Sequence, residues 1–275
     1  MMMRVWLGGA SVAALLALSG CPNPNTYTTP RTLDPGKVQW QVAPEVIGVN
    51  YKTTNGSTDA NGNLVKANAG GVLPMLPSFG MRIGLADGLE LGLRAPNLEP
   101  AAADAKIRLL KGSFDMALDP GLQFYFASSN GNGYSAVFLH APLLLGFNLS
   151  EKTSIVLSPG LVYAQNTGSA VVATGITGSS AVAGFMGQLG VGVDFRVSHR
   201  FAIHPEITVL QQFTGSQDLL LLVGGVGFNF GAQPGYSDLR SDAEPLGEPT
   251  APVAPVPAAE PASPPASPPS TEVGL

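Results

Sequence analysis

A histidine and a glutamate two residues apart could do acid–base chemistry. In the stretch FAIHPEITVL, His204 and Glu206 alternate with apolar residues, so they share the polar face of a predicted strand. A neighbouring carboxylate can orient an imidazole as a general base, as hydrolytic sites require. However, no serine is clearly placed as a nucleophile, and His204 follows a predicted turn at His199-Arg200 by only four residues. We predict no catalytic residues, and an outer-membrane hydrolase is the least favoured alternative.

Metal and cofactor chemistry have even less support in the sequence. The 275 residues include three histidines and one cysteine, without the ligand spacing of a metal site. We expect His140 to be a hydrogen-bonded interior residue. The glycines of GQLGVGVD do not form a dinucleotide motif, because no helix follows them. We therefore predict neither a metal nor a cofactor.

Most other charged residues also fall on the polar side of alternating segments. Isolated buried charges are costly, and charges on neighbouring strands can pair across them. We expect an ion network inside the folded protein, formed by Glu45, Arg82, Glu90, Arg94, Lys106, Arg108, Asp115, Asp119, Asp194, Arg196 and Glu206. This network would close the interior structurally. A narrow polar pore or small-ligand pocket is the alternative.

The elements that carry these charges are predicted to be strands. Ten candidates with period-two alternation lie between Lys37 and Gly231, and Asp87-Gly88 between two of them indicates a tight hairpin. The least secure are LELGLRA and AKIRLLK, since AAADAKIRLL could instead begin as a helix. Losing both would leave eight strands.

The connections alternate in length. Short turns are expected at 87–88, 112–113, 151–152 and 199–200, whereas longer loops include roughly 51–72 and 166–180. Short turns on one side and long loops on the other are typical of outer-membrane barrels, whose short turns face the periplasm. The pattern predicts an all-β, antiparallel, up-and-down transmembrane β-barrel of about ten strands. An even strand number returns both chain ends to the periplasm.

Aromatic residues on the apolar faces support lipid contact. Membrane barrels carry aromatic girdles at both interfaces, and these residues fall near strand ends. The predicted girdle consists of Trp40, Phe124, Phe126, Phe147, Tyr163, Phe185, Phe195, Phe201, Phe213, Phe228 and Phe230. Tyr125 and Phe138 have the opposite parity and are exceptions. A soluble periplasmic, lipid-anchored barrel that binds a hydrophobic ligand is the principal alternative.

Composition separates the C-terminal tail from the rest of the chain. The sequence is 45% hydrophobic and only 12% charged, and its net charge is −5, which argues against a nucleic-acid partner. The charge excess lies from Ala232 onward, where prolines are also dense. Such a segment favours extended polyproline II and cannot bury a core. We predict a disordered, acidic, Pro-rich tail over 232–275, with a possible periplasmic or cell-wall partner.

The N-terminus MMMRVWLGGASVAALLALSGC resembles a bacterial lipoprotein signal peptide. Arg4 precedes an apolar stretch that ends in Leu18-Ser19-Gly20-Cys21, the lipobox pattern. The resemblance implies cleavage before Cys21 and acylation of this cysteine. Several acyl chains would make a durable membrane anchor. An ordinary secretory signal with a chance cysteine is the alternative.

The segments TPRTLDPGKVQ, FGMRIGLADGLELGLR and KIRLLKGSFDMALDPGL resemble a group of bacterial outer-membrane β-barrel proteins, with an architecture similar to small OmpA/OmpW-type barrels. The resemblance covers roughly Thr29 to Gly231 and implies a fold more than an activity. We predict a signal peptide at 1–20, a lipidated linker at 21–36, a barrel at 37–231 and the tail at 232–275. The expected function is a structural or interaction role in the outer membrane, with narrow passage of small solutes as a possible addition.

Overall fold

Alternating side chains and short turns place successive strands side by side in a closed antiparallel sheet. A computed structural model of the chain describes residues 23–58, 64–96, 101–129, 132–168, 170–171, 177–178, 183–214 and 217–239. The described strands are β1 (Val38–Ala43), β2 (Glu45–Thr58), β3 (Leu64–Pro74), β4 (Ser78–Ala86), β5 (Leu89–Ala95), β6 (Ala102–Leu110), β7 (Phe114–Leu118), β8 (Gly121–Ser129), β9 (Asn132–Asn148), β10 (Thr153–Gly168), β11 (Ala170–Val171), β12 (Thr177–Gly178), β13 (Gly184–Ser198), β14 (Phe201–Gln212) and β15 (Gln217–Gly231).

Three positions in the barrel wall are each occupied by two strands that lie end to end, and each such pair counts as one wall strand. β1 and β2 both pair with β15 and are separated at Pro44, while β7 and β8 both pair with β6 and β9 on either side of Pro120. β3 and β4 are joined through residues 75–77 in the same way. Proline has no N–H to donate to the ladder, which favours such interruptions. With each of these pairs counted as one wall strand, the described strands form a ten-stranded barrel, which β1 closes by pairing with β15.

This architecture confirms the predicted all-β antiparallel barrel of ten strands. Both doubtful segments are strands: β5 pairs with β4 and β6, and β6 begins at Ala102. The eight-strand alternative and a helical start at AAADAKIRLL are therefore wrong. The hairpin at Asp87-Gly88 is also present, and its glycine takes the left-handed conformation with φ of 79°.

Short turns at 87–88, 111–113, 149–152 and 199–200 all lie at one end of the barrel, which we call the short-turn end. The barrel begins at Val38 and finishes at Gly231 at this same end. The paired strands β11 and β12 belong to the connection between β10 and β13 at the opposite, long-loop end. Within the described residues, no helix is long and apolar enough to cross a membrane.

The barrel wall has an apolar outer face and a polar inner face. Leu189 and Val197 are 55% and 60% exposed on the outer surface, whereas Gln188 and Asp194 on the same strand are buried. This is the inverse of a water-soluble barrel, in which the apolar face points inward. The exterior of the barrel is therefore suited to lipid.

The aromatic girdle residues predicted from sequence also lie on the outer face. Trp40 and Phe126 are more than half exposed, and Phe79 and Phe114 are further outward aromatics that the sequence prediction missed. Tyr125 and Phe138 instead point into the barrel, where they join an apolar cluster near the long-loop end. The remaining described members of this cluster are Ile47, Ala136, Val162, Ala164, Met186, Leu210, Leu219, Leu221 and Val223.

Candidate functional site: the barrel interior

The barrel interior is occupied by the chain's own N-terminal segment. All residues from Asn23 to Leu33 are buried, although this stretch forms no strand or helix. We call it the lumenal plug (residues 23–33). The sequence prediction assigned residues 21–36 to a linker, and the structure differs for this part. The stretch NPNTYTTPRTL has no hydrophobic period, because polar wall side chains, and not an apolar core, hold it.

The first residues of the plug lie deepest in the barrel. The Asn23 backbone N–H donates to Gln123 Oε1 over 3.1 Å, and its side-chain amide donates to both Glu45 oxygens at 2.9 and 2.8 Å. Gln123 and Glu45 each lie two residues before a member of the apolar cluster, Tyr125 and Ile47. The plug therefore begins just beneath this cluster.

The middle of the plug is held mainly through its backbone. The N–H groups of Thr26 and Tyr27 donate to Glu206, with Tyr27 N to Glu206 Oε2 at 2.6 Å. Gln41 donates to the carbonyls of Thr26 and Tyr27, and Asn229 to that of Tyr27. The Tyr27 hydroxyl donates to Glu45 at 2.7 Å. Charge-assisted hydrogen bonds to carboxylates are among the stronger ones in proteins.

The last residues of the plug reach the short-turn end. Lys106 Nζ donates to Thr28 Oγ1 at 2.8 Å and to the Thr29 carbonyl at 3.0 Å. The Leu33 N–H donates to Glu90 Oε2 at 2.8 Å. Residues 34–37 then form an exposed turn into β1. The plug thus runs from the interior towards the short-turn mouth in the direction N to C.

Glycines on the inner wall make room for the plug. A Cβ at Gly227 would lie 2.5 Å from the Tyr27 Cβ, and one at Gly225 would overlap the Tyr27 hydroxyl. A Cβ at Gly146 would lie 2.9 Å from two ring carbons of Pro30. No side chain fits at these positions while the plug is in place. The inner surface is therefore shaped for this segment.

Beside the plug, the wall carries a buried ion cluster. Arg82 pairs with Glu90 at 2.8 Å, with Asp104 at 2.7 Å and with Asp119 at 3.3 Å. Lys106 also pairs with Glu90, at 2.9 Å, and Arg94 with Asp104 at 3.4 Å. We call Arg82, Glu90, Arg94, Asp104, Lys106 and Asp119 the wall ion cluster.

Sequence reasoning missed Asp104, because it began the predicted strand AKIRLLK at Ala105. Extending the alternation by one step from Lys106 would have placed Asp104 on the same inner face. Arg108 was expected in the network, but it lies at the short-turn rim. There it pairs with the exposed Asp87 at 2.7 Å and approaches Thr32 at 3.3 Å. It stays outside the cluster because the strand has reached the end of the barrel.

Asp194, Arg196, His204 and Glu206 lie together on β13 and β14. Arg196 pairs with Asp194 at 3.2 Å, and the His204 ring nitrogens lie 3.4 Å from Asp194 and 3.8 Å from Glu206. His204 is fully buried, and its ring packs edge-on to Tyr27, with centroids 6.5 Å apart. The plug therefore covers the histidine and glutamate that could do acid–base chemistry.

His140 differs from our expectation of a hydrogen-bonded residue. Its ring is buried, but neither nitrogen has a hydrogen-bond partner among the described residues. The ring packs against the backbone of Gly121, where a Cβ would overlap it. Among the residues that the structure describes, no group of three or more potential ligands could hold a metal ion.

Arg31 and Asp115 form a further buried ion pair at the short-turn end. Arg31 Nε lies 2.6 Å from Asp115 Oδ2, so Asp115 pairs with the plug instead of the wall cluster. Arg31 Nη1 also lies 2.5 Å from Asp238, beyond β15. The predicted tail from Ala232 therefore includes residues that contact the interior, and residues 240–275 lie outside the described part of the chain.

No protein-family model matches the chain, and no curated protein matches its sequence.

Three of the similar solved structures are surface or outer-membrane proteins. Neisserial surface protein A is 8% identical, with a TM-score of 0.32 over 70% of this chain and 96% of its own. Ail of Yersinia pestis is 10% identical, with a TM-score of 0.30 over 70% of this chain and 99% of its own. An outer membrane channel from Pseudomonas putida F1 is 10% identical, with a TM-score of 0.41 over 77% of this chain and 100% of its own.

Proposed function

We propose that this protein is an outer-membrane barrel whose lumen is closed by its own N-terminal segment, and that its role is structural or interaction-based. The observation that carries this proposal is the complete burial of residues 23–33 inside the wall. An eight-stranded barrel has an interior just wide enough for side chains, and this ten-stranded barrel holds the plug in addition. With the plug in place, solute passage would require displacement of the plug.

The charges of the interior support a plug that belongs to the closed state. Without Arg108, which lies at the rim, the predicted network together with Asp104 contains four cations and seven carboxylates, and Arg31 brings a fifth cation from the plug. Glu45 and Glu206 also receive plug donors. Removing the plug would leave these carboxylates without those hydrogen-bond donors. Because a buried carboxylate without a partner is costly, the lumen must then fill with water, so the expected states are a plugged lumen and a water-filled lumen.

Planar-bilayer recording tests this role. Purified, folded full-length protein carrying Cys21→Ser, whose N-terminus bears no acyl chain, is expected to give no conductance steps, whereas the same protein lacking 23–33 is expected to give small, stable steps. A variant truncated after Leu239 serves as a control, because it keeps every contact described above. Steps from the full-length protein would contradict closure by the plug. A silent variant lacking 23–33, shown to be folded by heat-modifiable migration, would also contradict it.

We extend the proposal to lipid anchoring at Cys21 and to an outer-membrane location with surrounding lipid as the partner. Cys21 precedes Asn23 by two residues, and two residues span at most about 7 Å. Asn23 is held inside the closed wall by Glu45 and Gln123. An acyl chain inserted in the bilayer therefore requires the first plug residues to leave this position. We also propose that the tail binds a periplasmic or cell-wall partner.

We propose no enzymatic activity. The pair His204 and Glu206 is separated by 3.8 Å and lies beneath Tyr27, on the inner side of a closed wall. A general base must reach the proton that it abstracts from a bound substrate. A variant lacking 23–33 that remains inactive towards ester substrates would support this view, and His204-dependent turnover would contradict it.

A further inference from the structure

The chain that leaves the barrel after β15 turns across the short-turn mouth. The Ala232 N–H donates to the Val38 carbonyl at 2.9 Å, and the side chain of Gln39 donates to Gln233 at 2.8 Å. A single turn of 3-10 helix follows at Ser237–Leu239. We call residues 232–239 the C-terminal latch. Its position allows it to contact both the wall and the end of the plug.

Tyr236 contacts the plug and the wall at once. The Arg31 guanidinium carbon lies 3.9 Å from the centre of its ring, and that of Arg196 lies 3.0 Å away. Its hydroxyl donates to Thr29 Oγ1 at 3.0 Å. Tyr236 is 5% exposed, and burial raises the pKa of its phenol to about 12. Stacking of a cation on a desolvated aromatic ring is favourable.

Asp238 completes the contact with the plug. Its two oxygens accept from Arg31 Nη1 at 2.5 Å and from Nη2 at 3.1 Å, a two-pronged pair. The Gly235 carbonyl accepts from Nη1 at 2.8 Å. On the wall side, Arg31 is held by Asp115 and by the Gly112 carbonyl. The latch therefore supplies about half of the polar partners of this buried guanidinium.

We propose that the C-terminal latch controls release of the lumenal plug. Arg31, like Thr29, is held by both the wall and the latch, and it lies close to the exposed turn that tethers the plug to β1. While Tyr236 and Asp238 are seated, the end of the plug cannot move into the short-turn mouth. A periplasmic partner that draws the latch off the mouth would free it. This goes beyond the role of the plug as a seal, because it assigns control to the other end of the chain.

The peptide bond after Arg31 reports plug release directly. Trypsin cleaves after arginine, and Arg31 is 1% exposed, so cleavage there follows the population of the released state. The protein is tested in detergent micelles, which expose both ends of the barrel. A Lys37→Gln background removes the exposed neighbouring site. The initial rate is measured by mass spectrometry of the fragment that ends at Arg31.

Asp238→Asn and Tyr236→Ala are each expected to raise this rate about tenfold or more, because each removes contacts to a buried charge. Asp87→Asn is the matched control: it also removes an arginine's partner at the short-turn end, but Asp87 does not contact Arg31. Equal cleavage rates in Asp238→Asn and in the control would overturn the proposal. Loss of heat-modifiable migration in Tyr236→Ala would mean that this variant does not fold. In that case the cleavage rate of Asp238→Asn alone tests the proposal, because Asp238 lies beyond the last strand.

This test and the test of the proposed function can fail separately. If the variant lacking 23–33 gives no conductance, the plug is not the seal, yet the cleavage rates still decide whether the latch holds it. If the plug proves to be the seal but Asp238→Asn cleaves like the control, closure stands and the latch is refuted.

Discussion

A single methyl group on the inner wall should displace the plug. In Gly227→Ala, the new Cβ would lie 2.5 Å from Tyr27 Cβ and 2.8 Å from Tyr27 Cγ. Carbon atoms in favourable contact lie about 3.5–4.0 Å apart, so Tyr27 must move by about 1 Å. Overpacking of this kind costs about 1–3 kcal/mol. The released population should rise roughly fivefold to 150-fold, if the strand itself does not yield.

Hydrogen–deuterium exchange at the Thr26 and Tyr27 amides measures this shift, because both donate to the buried Glu206. Gly224→Ala is the matched control on the same strand. Its Cβ would meet no atom closer than 3.8 Å. We expect faster exchange in Gly227→Ala and no change in Gly224→Ala. Identical exchange in the two variants would show that Tyr27 does not lie against Gly227.

Three further predictions concern the ion pairs and the anchor. Arg82→Met should lower the free energy of unfolding by about 3–5 kcal/mol in urea titrations, since it takes the arginine from buried Asp119 and removes one of the two cations paired with Glu90 and with Asp104. Arg108→Met, whose partner is exposed, should cost below about 1 kcal/mol, and comparable losses would refute the distinction. The hydrogen bond from Arg31 lowers the pKa of Asp238, so its contribution to stability is present above its ordinary pKa and is lost as the pH falls through the lowered value. The stability gap between wild type and Asp238→Asn should therefore close only in strong acid; a gap that closes near neutrality would contradict this. Cys21→Ser should abolish labelling by radioactive fatty acid, and unchanged labelling would end the lipidation proposal.

The barrel itself could be predicted from local sequence, because each strand carries its own period-two signal. The outward position of Val191 and the inward position of Asp194 follow from that alternation. The turn at Asp87-Gly88 is likewise a local signal, since only the two central residues decide it. Such features depend on neighbours in the chain and need no knowledge of distant contacts.

The plug could not be found in this way. Its contacts join residues far apart in sequence, such as Asn23 with Gln123 and Tyr27 with Glu206, and its own sequence has no period. One signal was present: several glycines, among them Gly225 and Gly227, occupy inward positions of β15. Missing inner side chains indicate that something else fills the lumen. The latch was missed because its short sequence precedes a proline-rich tail and was assigned to it.

We propose a barrel with lipid outside and a protein-filled interior. Collision accessibility of spin labels in proteoliposomes tests both parts in one experiment, in a Cys21→Ser background. A label at Val191 should collide readily with oxygen and not with a water-soluble nickel chelate. A label at Thr26 should be shielded from both reagents. Free access of the nickel chelate to either label would contradict the account, because it would place water where we place lipid or packed protein.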